Sequence, residues 1–385
     1  MCRGTDILPV RGRGILPLHD QQSTAGTAVA RTAKMAVPRP QTPMHPKAAW
    51  ALKAAPRVRI VGLPAASTRR PGKADMEYRT LGKTGMKVSI VGYGASPLGN
   101  EFGPTDVTEG VRAVHRAIDE GINFFDVSPY YGRTLAEKRL GAALADKRDK
   151  VFLATKCGRY DVDRFDFSAK RIVASIEESL RRLRTDHVDL LQAHDIEFGD
   201  REQIVQETIP AMRQCQQAGK CRWVGITGYP VKMLADVARR GGVDTVLSYC
   251  RYNLMITDMD DHLTPVCKAA GIGLINASPL HMRILAEKGA PDWHPAPQAV
   301  KDAGRKVAEL CRAAGADVSA VALRFCLDHP YVATTLVGMS KQPHVATNVA
   351  VLAMKIDPAL MRQIRQAVAP VLNAVWPSGR PENND

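Results

Sequence analysis

The chain has 385 residues, 45% of them hydrophobic, and a formal net charge of +14 at pH 7. Residues 1–74 hold 13 Lys/Arg against only Asp6 and Asp20, so +11 of that charge sits there and about +3 is left for the rest. The basicity belongs to a tail, which argues against a nucleic-acid-binding domain, and no run of about 18 apolar residues is present to span a membrane.

Taken in chain order, residues 1–75 mix Pro, Gly, Arg and Ala with no sustained apolar period, and read as a disordered basic extension. Three accounts of it stand side by side. Its Arg content and lack of acids fit an organelle transit peptide; its Pro content and missing amphipathic period oppose that. It also fits a disordered tail, or upstream translation with Met76 as the working start. The protein is accordingly expected in the cytoplasm, or in a plastid or mitochondrion if the extension is a transit peptide.

From Met76 the pattern becomes regular. Two short segments around Gly82-Lys83-Thr84-Gly85 signal a hairpin. Short apolar runs then fall at 88–94, 122–127, 151–155, 188–193, 223–226, 245–248, 273–276 and 335–337. Amphipathic helical patterns fall at 106–119, 134–145, 168–183, 201–218, 230–239, 259–270, 298–327 and 343–354. Eight buried strands, each followed by helix, predict a (β/α)8 TIM barrel over 76–385, with the hairpin at its N-terminal side. An open dinucleotide-binding sheet needs a Gly-rich turn after its first strand. Here that turn is Gly92-Tyr93-Gly94-Ala95-Ser96-Pro97, which lacks the third Gly and opposes a helix start.

Barrel chemistry gathers at the C-terminal ends of the strands. The second run ends at Asp126, with Tyr131 just beyond; the third ends at Thr155-Lys156; the fourth ends at Gln192-Ala193-His194-Asp195. An Asp ending a buried strand is costly unless paired, and Lys156 is the available cation. A Tyr hydroxyl is a poor proton shuttle near neutrality unless a cation favours its phenolate, and His194 can hydrogen-bond the same oxygen. Such a set moves a proton on or off a carbonyl or alcohol oxygen, and with a hydride carrier it makes a redox catalyst. The eight Cys (Cys2, Cys157, Cys215, Cys221, Cys250, Cys267, Cys311 and Cys326) form no C-x-x-C pair or zinc-spaced cluster. They read as free buried thiols, and no metal site is expected.

The order Asp126…Tyr131…Lys156…His194 resembles the catalytic tetrad of the aldo-keto reductases. Longer strings, among them Ser128-Pro129-Tyr130-Tyr131-Gly132, His194-Asp195-Ile196-Glu197-Phe198-Gly199 and Trp376-Pro377-Ser378-Gly379, resemble the plant L-galactose dehydrogenase branch of that family. The resemblance implies oxidation of L-galactose at C1 to L-galactono-1,4-lactone by a nicotinamide nucleotide, a step of L-ascorbate biosynthesis. It implies Tyr131 as proton acceptor, Lys156 lowering its pKa, Asp126 pairing with Lys156, and His194 orienting the substrate oxygen. It places Thr227 and Tyr249 at the nicotinamide, with Tyr249 in place of the usual ring-packing Tyr, whose position holds Ala277. Ser278 and Leu280 fall at the pyrophosphate, and Gly338, Ser340 and Asn348 at the adenosine end, where a helix N-terminus favours phosphate. His344 stands where users of NADP often carry Arg, so NAD is expected, with NADP possible. Tyr160, Trp293 and Trp376 are candidate sugar-facing aromatics; Trp376 equally fits packing on the barrel wall. A monomer is expected. Another sugar or aldehyde oxidoreductase, or a non-catalytic nucleotide-binding accessory subunit, would share the tetrad.

Overall fold

Runs of Val, Ile, Leu and Phe form parallel strands covered on both faces, because neither face can be left to water. The computed structural model describes residues 76–385; the expectations for 1–75 lie outside the described residues. β1 (Tyr78–Thr80) and β2 (Lys87–Ser89) pair antiparallel, Tyr78 opposite Ser89. Their connection is a short 3-10 turn over Gly82–Thr84 that closes on Gly85 at φ 70°.

Eight further strands form a closed parallel barrel. They are β3 (Val91–Gly94), β4 (Phe124–Asp126), β5 (Phe152–Cys157), β6 (Val188–Ala193), β7 (Cys221–Gly228), β8 (Thr245–Tyr249), β9 (Gly273–Ala277) and β10 (Thr334–Gly338). β10 closes the ring on β3, with Gly338 beside Gly94. The single run expected at 88–94 divides: 87–89 joins the hairpin and 91–94 joins the barrel. Each piece hydrogen-bonds to a different partner, and hydropathy alone does not register that change.

Helices α1 (Val107–Asp119), α2 (Leu135–Ala143) and α3 (Ala169–Leu183) follow β3, β4 and β5. Asp106 caps α1 by accepting from the Glu109 amide at 2.8 Å, and Ser168 accepts from Arg171 at the start of α3. The helix expected over 298–327 is two, Gln298–Ala313 and Val318–Leu327. Gly315 turns left-handed between them at φ 69°, and Asp317 caps the second by accepting from Ala320. A helix outside the expected set spans Pro358–Val368, started by Asp357 and Pro358. Among the described residues no helix is long and apolar enough to cross a membrane.

The strand pleat decides what fills the barrel. Phe124, Ala154, Leu190, Leu247, Ile275 and Leu336 point inward, and the hairpin residues Leu81, Met86 and Val88 plug the ring from below. Two residues further along each strand the same inward direction is held by Gly94, Asp126, Lys156, Gln192, Thr227, Tyr249, Ala277 and Gly338. The layer above the apolar plug is therefore polar on β4 to β8 and nearly bare on β9, β10 and β3.

Candidate active site

Asp126 and Lys156 meet inside that layer. Both are almost wholly buried, and the Lys156 ammonium donates to the Asp126 carboxylate. Lys156 also donates to the Val127 carbonyl at 3.0 Å and to the Tyr131 hydroxyl oxygen at 3.4 Å. Burial works to lower the Lys156 pKa, but the charge of Asp126 and the nearby Tyr131 oxygen outweigh it, so the ammonium is held charged. The second Asp126 oxygen accepts from the Gln192 side-chain amide at 2.8 Å. Gln192 is a site residue the sequence reading did not single out. Its signal is the strand register, which sets Gln192 beside Lys156.

Tyr131 is brought over Lys156 by the turn that follows β4. The Tyr131 amide donates to Ser128 O and the Thr134 amide to Pro129 O. Gly132 then passes so close to Gly99 that a Cβ there would stand 2.2 Å from the Gly99 carbonyl oxygen, and its φ is +60°. Only glycine fits both requirements. Burial pushes the Tyr131 hydroxyl up to about 12, with Lys156 pulling down and Asp126 and Asp195 pushing the same way as burial. Lys156 acts on Tyr131 in the expected direction, downward, but the net shift is upward. Desolvation of the phenolate outweighs one ammonium already shared with a carboxylate.

His194 lies against both tyrosines, 5.7 Å from the Tyr131 ring and 5.9 Å from the Tyr130 ring, each edge-on. Burial lowers its pKa to about 3, with Asp195 opposing and Lys156 and Arg159 reinforcing, so the imidazole is neutral. The Ser128 hydroxyl lies 2.9 Å from His194 Nδ1 and accepts from the Tyr130 amide at 3.1 Å. The Ser128 proton is not used in its bond with the Tyr130 amide and is free for Nδ1; the tautomer that accepts it carries its N–H on Nε2. Ser128→Ala is expected to lower kcat/KM by about 10- to 100-fold, the kinetic equivalent of one lost buried hydrogen bond. The Tyr130 amide also loses its acceptor, so the thermal midpoint should fall by a few degrees with the protein still folded at assay temperature; a wild-type kcat/KM would discard the orienting role.

Next to His194, Asp195 is ion-paired with Arg159. The Arg159 guanidinium lies 3.9 Å over the Tyr130 ring and 5.2 and 5.3 Å from the Phe165 and Phe198 rings, which stack on each other at 4.3 Å. Arg159 Nε is buried with no partner. Arg159 and Asp195 are a charged pair beside the catalytic rim that sequence spacing gave no reason to join.

The remaining candidates divide. Thr227 is buried at the end of β7, but its hydroxyl is engaged by Asp195: it accepts from the Asp195 amide at 3.0 Å and reaches Asp195 Oδ1 at 3.4 Å. Tyr249 on β8 pairs in register with Ala277 on β9, so a ring from the neighbouring strand stands beside the position that lacks one. Ser278 and Leu280 are half-buried in the loop after β9, Ser278 at φ 55°. Gly338 is exposed, Ser340 buried and Asn348 half-buried along the path from β10 into the helix Gln342–Ala350. That helix start differs from expectation as a phosphate site. Its first amide, Gln342, already donates to the Glu109 carboxylate at 2.9 Å, and the next residue, Pro343, has no N–H.

Among the described residues none of the three sugar-facing candidates makes a hydrogen bond or ring contact with the tetrad. Tyr160 is buried, its hydroxyl oxygen accepting from the Gly158 amide at 3.1 Å. Trp376 is buried against the Tyr229 ring at 4.9 Å, which is the wall-packing alternative. Trp293 is 57% exposed and stacks on His294.

A nicotinamide nucleotide suits this rim. Gly94, Ala277 and Gly338 leave an arc with almost no side-chain volume facing the Tyr131–Lys156–His194 edge, and a Cβ on Gly338 would stand 3.0 Å from Pro97.

L-galactose dehydrogenase of Arabidopsis thaliana is 46% identical over 318 residues, covering 80% of this chain and 99% of that one. D-threo-aldose 1-dehydrogenase of a Pseudomonas species is 28% identical, over 74% of this chain and 95% of its own. The solved structure of an aldo-keto reductase of Bacillus halodurans in its holo form superposes with a TM-score of 0.66 at 25% identity, covering 80% of this chain and all of that one. The model of the aldo/keto reductase family matches residues 90–369, from the first barrel strand to the last helix, and the Asp126, Tyr131, Lys156 and His194 cluster lies inside that span: the chain belongs to the aldo/keto reductase family, an oxidoreductase family.

Proposed function

We propose that the protein oxidises L-galactose at C1 to L-galactono-1,4-lactone with NAD, as a step of L-ascorbate formation. The observation that carries the proposal is the Tyr131 hydroxyl set 3.4 Å from a buried, charged Lys156 beside a neutral imidazole. The bound nucleotide supplies the hydride acceptor. His194 holds the substrate oxygen with its Nε2–H. Tyr131 takes the proton of the C1 hydroxyl as the C1–H leaves as hydride, and Lys156 stabilises the charge on the Tyr131 oxygen through that transfer. Asp126 and Gln192 keep Lys156 in place.

The sugar-dehydrogenase names of the relatives support a hydroxyl-rich substrate. The Arg159–Asp195 pair beside His194 offers both a donor and an acceptor to such a molecule. NAD is favoured over NADP by the Glu109 carboxylate on Gln342, a negative charge at the start of the helix that carries His344 and Asn348. A 2′-phosphate there would meet a carboxylate where it needs a cation. Initial rates of the purified protein with L-galactose, L-fucose and D-arabinose, each with NAD⁺ and NADP⁺, test the reading. L-galactose with NAD⁺ is expected to have the highest kcat/KM; another best pair overturns the assignment.

A further inference from the structure

Glu197 has no part in that chemistry, yet it is buried completely directly behind the rim. One of its oxygens, Oε1, accepts three hydrogen bonds: from the Tyr249 hydroxyl at 3.1 Å, the Tyr229 amide at 3.2 Å and the Ser378 hydroxyl at 3.2 Å. The other, Oε2, is buried without a partner and lies against Gly228, where a Cβ would stand 2.8 Å from it. Among the described residues no cation pairs with it. Burial and the charge of Asp195 push its pKa up to about 8. A carboxyl kept in such a place is costly and needs a reason.

The reason lies in what it joins. The main-chain oxygen of Glu197 accepts from the Arg380 amide at 2.9 Å and from the Asn383 side chain at 2.9 Å. Gly379 passes over it at φ 76°, where a Cβ would come within 2.3 Å of that oxygen. Residues 376–385 thus form a strap across the ends of β6, β7 and β8. Trp376 anchors one end on Tyr229. At the other end the Asp385 side chain accepts from the Val231 and Lys232 amides at 2.8 and 2.9 Å. It thereby caps a helix, Val231–Gly241, that has no side-chain cap at its own Pro230. Glu197 is where this strap, the Thr227–Gly228 strand end and the Tyr249 ring come together.

We infer that Glu197 is a positioning residue for the nicotinamide seat: by holding Tyr249, Tyr229 and Ser378 on one oxygen, it ties the placement of the Tyr249 ring to the docking of the 376–385 strap. The inference rests on the proposed reading of Tyr249 as the residue that packs the nicotinamide. It assigns the strap a role in cofactor affinity, apart from the sugar.

The test measures cofactor Kd without sugar, by titration calorimetry with NAD⁺, on wild type, Glu197→Ala, Glu197→Gln, Tyr249→Phe and Ser378→Ala. Glu197→Ala is expected to raise Kd by about tenfold, since three buried donors lose their acceptor. It should also speed hydrogen exchange in a peptide spanning 376–385. Glu197→Gln is expected to restore both, because its amide oxygen accepts the same three bonds. Tyr249→Phe and Ser378→Ala each remove one donor without emptying the site, and should raise Kd by smaller factors; they carry the test if Glu197→Ala does not fold. A Glu197→Ala protein with wild-type Kd or unchanged exchange overturns the inference, as does a Glu197→Gln protein no better than Ala. Wild type that binds no nicotinamide nucleotide would instead sink the proposed reaction, and this inference with it.

Discussion

Replacing Tyr131 by Phe is expected to lower turnover by about 10²- to 10⁴-fold, the usual worth of a positioned proton-transfer group, while NAD⁺ still binds. The fold should tolerate the change. Lys156 keeps Asp126 and the Val127 carbonyl as partners when the Tyr131 oxygen is removed, and the aromatic edge against His194 is unaltered. The environment of the hydroxyl also fixes how the wild-type rate responds to pH. Oxidation needs the Tyr131 oxygen to accept a proton, and burial raises its pKa to about 12, so the accepting form is scarce at neutrality. Below that pKa its fraction grows about tenfold per pH unit, and kcat/KM for oxidation should climb with pH in step. His194, pushed down to about 3, stays neutral across such a series, and Lys156, pushed up, stays charged. Glu197, raised to about 8, is a nearby group that titrates inside the window, and the same series on Glu197→Gln removes its contribution. A profile flat over the alkaline range would show that Tyr131 is not the proton acceptor, as would appreciable turnover in Tyr131→Phe.

The meeting of Asp126, Tyr131, Lys156 and His194 was legible because Asp126, Lys156 and His194 stand at the ends of apolar runs, with Tyr131 in the loop beyond the first of them, and the barrel rule sends strand ends to one rim. Asp126, Lys156 and Gln192 then face inward together because each stands two residues beyond an inward apolar residue: Phe124, Ala154 and Leu190. Gln192 could have been found by applying that period of two to the fourth run, where it breaks an otherwise apolar stretch. Glu197 and Arg159 could not, since the contacts that define them join segments far apart in the chain. Glu197 meets Ser378 across 181 residues, and no local pattern marks such a meeting. The exposure of the aromatic candidates was hidden for a different reason. A loop Tyr or Trp carries no sign of whether its face is open or covered, so Tyr160 and Trp376 are buried and Trp293 is exposed. The helix Pro358–Val368 was readable: Asp357-Pro358 is a start signal, and the buried Leu360, Ile364 and Val368 recur every four residues. It lies beyond the eighth strand–helix unit, where the barrel repeat no longer asks for one.

The change expected to cost the most is Asp126→Ala. Asp126 and Lys156 are about equally buried, with 3% and 2% of their side chains exposed, so each charge depends on the other to be held in that layer. Removing the carboxylate leaves an ammonium facing the Val127 carbonyl and a neutral phenol, and leaves the Gln192 amide without its acceptor. Breaking a buried pair in this way costs about 3–5 kcal/mol of stability, readable as a drop in the urea midpoint at unchanged slope. The cheaper course for Lys156 is to lose its proton, and a neutral amine no longer stabilises charge on Tyr131, so turnover should fall to background in the part that stays folded. Stability and catalysis can be separated by removing both partners. A double variant, Asp126→Ala with Lys156→Met, replaces both charges with apolar side chains no larger than those removed, and exchanging a buried pair for apolar residues is often neutral or stabilising. Its urea midpoint should return toward wild type while its turnover stays absent. If Asp126→Ala, Lys156→Met and the double variant instead add without coupling, Asp126 is not what holds Lys156 charged. The chemistry at Tyr131 would then have to draw its cation from elsewhere on the rim, where Arg159 is already committed to Asp195.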